Sequence, residues 1–161
     1  MTTLRSINYL VMPWKNGLGV TREIAREPLE GEFAWRLSMA TVGELAGFSR
    51  FEGVTRVLAV VEGEALSLTV DGVTSQLHRG GASARFSGEA AAAAEALGTP
   101  VTDLNLMTRG ALRGSIEPLG AGRVEPGEGV TMIVDLDSLD THIVDEPVDW
   151  VGAGYLVRVT G

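Results

Sequence analysis

Arg56-Val57-Leu58-Ala59-Val60-Val61-Glu62-Gly63-Glu64-Ala65-Leu66-Ser67-Leu68-Thr69-Val70-Asp71-Gly72 carries the signal that decides the fold class. Arg56 to Val61 is an apolar run rich in β-branched residues, of strand length and ended by a polar Glu-Gly-Glu turn. Ala65 to Val70 then alternates residue by residue, the period of a strand with one buried face. Asp71-Gly72 fits a two-residue type I′ turn, whose two central positions both need positive φ. The stretch therefore predicts a strand, a turn, a second strand and a tight hairpin.

The same pattern extends outward on both sides. Trp35-Arg36-Leu37-Ser38-Met39-Ala40 alternates, with Trp35, Leu37 and Met39 on one face and Arg36 and Ser38 on the other. Further strands are predicted over 103–108, 130–136 and 155–160, and the 21 glycines are scattered at intervals that suit tight turns. About ten short strands fit the length, which points to an all-β sandwich or barrel. One segment dissents. Glu89 to Leu97, with five consecutive alanines, has the highest helix propensity in the chain but no bulky apolar stripe, and local physics alone predicts a short helix there.

A chain of 161 residues with 45% hydrophobic residues is the size of one domain and can enclose its own core. Its net charge of −8 disfavours phosphate backbones and anionic lipid surfaces, so nucleic acid and membrane partners are not expected. There is no cysteine, and only two histidines, His78 and His142, without metal-ligand spacing; no metal and no cofactor are expected. No apolar run approaches membrane-spanning length and Met1 to Arg5 lacks the features of a signal peptide, so a cytoplasmic location is expected. The charge is unevenly spread. Residues 1–56 sum to +1 and residues 57–161 to −9, and of the 13 cations only Lys15 is a lysine.

Three groups of residues carry chemistry. In Met12 to Ile24, Gly17 and Gly19 permit a sharp turn and a close backbone approach, while Lys15 and Asn16 offer an ammonium and an amide. A β-turn bearing a solvated lysine is the plain alternative. In Gly47 to Arg56, Phe48 and Phe51 either wall a pocket whose arginine grips a carboxylate or plug the core beneath a loop. Arg56 opens an apolar strand on the face of Leu58 and Val60, so it needs either a protein acid or a ligand as partner. In Pro100 to Gly110, alternation places Asp103, Asn105 and Met107 on one face; Asn105 requires hydrogen-bond partners, and Asp103 is the natural mate for an inward arginine.

Taken together, four stretches in order resemble the HutD/Ves family of small cupin-like proteins: Met12 to Ile24 (M-P-W-K-N-G-x-G-x-T-x-E-I), Trp35 to Val42 (W-R-L-S-M-A-x-V), Gly47 to Arg56 (G-x-F-S-x-F-x-G-V-x-R) and Pro100 to Arg109 (P-V-x-D-L-N-x-M-x-R). The similarity covers roughly residues 4 to 112. It implies a compact bicupin, two small antiparallel β-barrel or jelly-roll halves sharing one core, with the first half at roughly 1–112 and the second at 113–161, intertwined within a single domain. It also implies a strand through the alanine run, against the local helix preference. The family's motif positions fall here on Trp14, Lys15, Asn16, Gly17, Arg36, Ser38, Ser49, Phe51, Arg56, Asn105 and Met107, which become the candidate ligand-binding residues. Leu18 stands where the family often has glycine, and Glu52 where it often has proline. HutD-like members are associated with histidine utilisation, and Ves-like members with environmental stress.

The reading that follows is a metal-free binding protein for a small carboxylate, modulating histidine utilisation by sensing a pathway intermediate, with a homodimer compatible with it. The rival is a metal-independent cupin isomerase, epimerase or lyase. That enzyme needs a base tuned toward neutrality, and with both histidines outside the motifs the base would be Asp103 or Glu23. A third possibility is an interaction module in which the polar cluster only supports folding.

Overall fold

A computed structural model describes residues 1–161. The chain is all β apart from one 3-10 turn at Ser6–Asn8. In chain order the strands begin with β1 (Thr2–Leu4), β2 (Leu10–Pro13), β3 (Gly19–Glu27), β4 (Trp35–Val42), β5 (Ala46–Gly47) and β6 (Val54–Glu62). They continue with β7 (Ala65–Val70), β8 (Val73–His78), β9 (Ala84–Ser87), β10 (Ala92–Leu97), β11 (Val101–Arg109) and β12 (Arg113–Leu119). The last are β13 (Gly122–Val124), β14 (Val130–Asp135), β15 (Thr141–Ile143), β16 (Val148–Trp150) and β17 (Gly154–Thr160). No helix is long and apolar enough to cross a membrane.

A six-stranded antiparallel sheet of order β2-β3-β4-β11-β6-β9 is the central layer. The alternation read in the sequence sends its residues to two different environments. Trp35, Leu37, Met39, Val57, Ala59, Leu104 and Leu106 meet Ile116, Met132, Val134, Tyr155, Val157 and Val159 of a five-stranded sheet, β1-β15-β14-β17-β12, to form the main core. On the opposite face Leu58, Val60 and Val101 meet Leu66, Leu68, Leu77 and Ala94 of a four-stranded sheet, β5-β10-β7-β8. A β13–β16 ribbon belongs to a small outer cluster in which Val124 and Trp150 pack with Ile133 and Val144. The four-stranded sheet covers only part of the second face. The uncovered part carries the polar residues.

Seventeen strands form where about ten were expected, because segments of two to four residues such as β1, β5, β13, β15 and β16 are too short to display a period. The Asp71-Gly72 hairpin forms with both residues at positive φ, 46° and 83°. The helix predicted over Glu89–Leu97 does not form. Residues 92–97 are strand β10, paired with β5 on one side and β7 on the other, and Ala94 is fully buried opposite Ala46 and Leu68. Two ladders of hydrogen bonds and a gap of alanine size outweigh a propensity difference of a few tenths of a kcal/mol per residue. The strand implied by the family resemblance is the one that forms.

Candidate functional site

The uncovered face of the central sheet is the floor of a cavity of about 660 Å³, within the range of small-molecule sites. Strand pairing fixes its layout. Met107 of β11 lies opposite Arg36 of β4 and Arg56 of β6; Asn105 lies opposite Ser38 and Leu58; Asp103 lies opposite Ala40 and Val60. Arg36 and Arg56 are thus two strands apart across Met107, roughly 10 Å at the backbone. Asn105 and then Asp103 follow along the same face.

Two loops form the walls. In the β2–β3 connection the Trp14 indole donates from Nε1 to Thr21 Oγ1 at 2.7 Å. A Cβ on Gly19 would lie 2.9 Å from the Trp14 ring and from the Thr41 carbonyl oxygen, so the close approach anticipated at this glycine is made by the chain's own indole. Gly17 takes the turn at φ +73° and stands outside the cavity lining. Asn16 Oδ1 accepts from the Leu18 N–H at 3.0 Å, which occupies its acceptor in a local turn. Lys15, exposed at the rim, makes no ion pair. Of the eleven residues proposed from the sequence, all except Gly17 line this one cavity.

The second wall is the Gly47–Phe51 segment, and it holds Arg56 in an unusual setting. Arg56 is 5% exposed, and its guanidinium carbon lies 4.7 Å from the Phe48 ring centroid, 5.6 Å from Phe86 and 6.0 Å from Phe51. Cation–π attraction from three rings offsets part of the desolvation cost. The only hydrogen bond of its side chain is a long one, from Nη1 to the Ser49 carbonyl at 3.4 Å, and Nε is buried with no partner. No carboxylate pairs with it. Burial lowers its pKa to about 10, with Arg36 adding to the effect and Asp103 opposing it, so the group stays cationic at neutral pH. The wall-forming role of Phe48 and Phe51 is therefore exercised on Arg56. Arg50, between them in sequence, is exposed outside this cavity.

Arg36 is anchored differently, donating from Nε to Glu23 Oε1 at 2.8 Å in a half-buried ion pair. That pair orients Arg36 and neutralises Glu23. Asp103 is left alone: it is 1% exposed, and neither carboxyl oxygen has a hydrogen-bond partner. Burial raises its pKa from 3.8 to about 7, while the Arg56 cation and the Ala40 backbone amide pull the other way without closing a hydrogen bond. Asn105 Oδ1 is also buried and unpartnered. The expectation that Asp103 would be the mate of an inward arginine is corrected here: the two share a cavity and act on one another electrostatically, but form no ion pair. Asp103, Met12 and Thr21 are among the seven residues that line the cavity beyond those proposed from sequence. Asp103's inward face was legible there, but the partner assigned to it hid its availability.

No three His, Cys, Asp or Glu side chains gather into a group that could hold a metal ion. His78 is exposed on β8, and His142 lies against Trp150 with ring centroids 5.5 Å apart, far from the cavity in the layered order of the sheets. What the cavity offers is a set of donors and cations at one end of its floor and unpartnered acceptors further along.

This chain is similar to an uncharacterized 21.2 kDa protein in the region 3′ of hutC of Pseudomonas putida, with 42% identity over 106 residues, 65% of this chain and 56% of that one. It is 38% identical over 99 residues to the protein Ves of Citrobacter koseri, covering 60% of this chain and 51% of Ves. The chain thus spans about half the length of the curated relatives it matches. Among solved structures, HutD from Pseudomonas fluorescens SBW25 superimposes with a TM-score of 0.86 at 29% identity, over 99% of this chain and 97% of that one. A cupin 2 conserved barrel domain protein from Leptotrichia buccalis matches with a TM-score of 0.60 at 8% identity over 98% of this chain and 99% of its own, which shows the fold alone as cupin-like. The HutD family model matches residues 6–134, and with four-fifths of its length inside that match the chain belongs to the HutD family.

Proposed function

We propose that this HutD protein binds a small carboxylate through its own side chains, and that it modulates histidine utilisation by sensing a pathway intermediate. The observation that carries the reading is Arg56: a buried guanidinium held among three aromatic rings at the cavity, with no carboxylate of its own and with Nε buried and unpartnered. A cation kept dry and unpaired is stabilised when an anion enters. Arg36 on the same floor and Lys15 on the rim give that anion two further cationic neighbours. The link to histidine utilisation is supported by the resemblance to HutD and by the relative located beside hutC.

Thermal stabilisation by urocanate, formylated and free glutamate, simple carboxylates and sugars tests the reading, since a ligand at a hundredfold excess over Kd stabilises by about 2.7 kcal/mol. Calorimetry on whichever acid stabilises should show Arg56→Ala weakening it ten- to hundredfold, corresponding to loss of a charge-assisted hydrogen bond of about 1.5–3 kcal/mol. Lys15→Gln, at an exposed position that leaves the core intact, should weaken the same acid by a smaller factor. If no acid stabilises the protein, or if Arg56→Ala binds it unchanged, the carboxylate reading fails.

A further inference from the structure

We infer that the ligand of this cavity is bifunctional, a small acid that also carries an N–H donor, with Asp103 accepting that donor while the arginines hold the acid group. The inference rests on the carboxylate reading above and adds the second half of the ligand. Along β11 the cavity floor changes character within four residues. At Met107 it is flanked by Arg36 and Arg56, both donors only. At Asn105 and Asp103 it presents three buried acceptor oxygens, Asn105 Oδ1 and both oxygens of Asp103, and none has a partner.

No side-chain donor faces Asp103, and the Ala40 amide, which pulls its pKa down, closes no hydrogen bond to it. The residues opposite Asp103 are Ala40 and Val60, which have no polar side chain to offer. A simple anion would satisfy Arg56 and leave the acceptors of Asn105 and Asp103 without a donor. A ligand with a donor at its far end satisfies both ends at once, because an N–H aimed at an anionic acceptor makes one of the stronger classes of hydrogen bond. A site built around a buried acceptor also rejects an analogue that lacks the donor, since the acceptor is then left without a partner.

Matched pairs of probes separate the two halves of the ligand. Pyrrole-2-carboxylate and 3-(pyrrol-2-yl)propanoate carry an acid and a ring N–H at two spacings; furan-2-carboxylate and 3-(furan-2-yl)propanoate have the same shapes with a ring oxygen in place of the N–H. Binding is measured by calorimetry on the full chain near pH 8, where the Asp103 carboxyl is mainly ionised. At least one pyrrole should bind tenfold or more tightly than its furan, and in Asp103→Leu, where an apolar side chain replaces the unpartnered carboxyl, that preference should fall to about twofold or less while the furan still binds. If the furans bind and neither pyrrole reaches tenfold, or if the preference survives in Asp103→Leu, the inference is overturned and the carboxylate reading stands. If none of the four binds at about 10 mM while another acid stabilises the protein, the inference is overturned and the carboxylate reading stands; if no acid binds at all, both fall. Should Asp103→Leu not fold, Asp103→Asn, which keeps the shape and removes the charge, takes its place and should lower the pyrrole preference; an unchanged preference overturns the inference.

Discussion

Asp103 makes the protein's stability depend on pH in a direction opposite to that of a paired surface carboxylate. Its pKa in the folded chain, about 7, lies above the ordinary 3.8, because burial disfavours the anion more than Arg56 favours it. The native state therefore holds this proton over a range in which the unfolded chain has lost it. The stabilising contribution is complete below about pH 4 and is lost as the pH rises through about 7. Arg56, at about 10, stays charged across that window and adds no slope of its own. Asp103→Asn keeps the shape, removes the titration, and should raise stability at pH 8 by roughly a few kcal/mol while changing little near pH 4. Melting temperatures of the two proteins from pH 4 to 8 should diverge as the pH rises; parallel curves would show that the carboxyl is solvated after all. The sequence made both residues visible as inward-facing polar groups. Whether they would meet depends on the irregular register between Thr102 and Asp103 where β11 pairs with β6, and on three aromatic rings from two separate segments closing around Arg56. Neither is written in local spacing.

At the scale of single elements, legibility followed length and alternation. Strands β4, β6, β7 and β11 declared themselves because each runs six residues or more with distinct faces, and the Asp71-Gly72 hairpin because its backbone demands residues that tolerate positive φ. The alanine run was misleading in isolation because helix propensity is a property of the segment, whereas its strand is set by β7 and β5 on either side. That difference has a sign that can be measured. Glu95 is exposed in the middle of β10 opposite Ser67, in a conformation where glutamate is disfavoured and threonine favoured. Glu95→Thr should stabilise the protein by about 0.5–1 kcal/mol in urea denaturation, whereas in a helix the same change would cost several tenths of a kcal/mol. Glu95→Gln, which removes the same negative charge, serves as the control and should recover less than half of the gain. The β2–β3 loop was legible in composition only: its two glycines announced a turn, but that Gly19 seats the Trp14 ring follows from the indole folding back over β3.

For the whole molecule, a central sheet with one face covered by the five-stranded sheet and the other partly covered by the four-stranded sheet is expected to melt together with both. Residues 10–109 supply the six-stranded and four-stranded sheets, whereas the five-stranded sheet draws on β1 at one end of the sequence and on residues 113–160 at the other. Division into a first part ending near residue 112 and an acidic second part is therefore a division of sequence, and we propose that it is not one of stability. The main core belongs to both parts: Leu37, Leu104 and Leu106 lose their cover if Met132, Tyr155 and Val157 depart. Side-chain bonds cross the same boundary, with Tyr155 Oη donating to the Gly81 carbonyl at 2.7 Å, Ser83 Oγ to that of Ile116 at 2.7 Å and Arg79 Nη2 to that of Leu136 at 2.9 Å. Leu106 is fully buried between Leu37 and Val57, so Leu106→Ala should cost about 2–5 kcal/mol. Trp14 at the cavity and Trp150 in the outer cluster lie on opposite sides of the molecule and report its two ends when each is retained as a single fluorescent tryptophan. Both reporters should give one shared urea midpoint, and Leu106→Ala should lower the two midpoints by the same amount. A cavity-side transition that stays in place while the Trp150 signal shifts would mean that the central sheet stands without its five-stranded partner, and the floor carrying Arg56 and Asp103 would then owe its geometry to residues 10–109 alone.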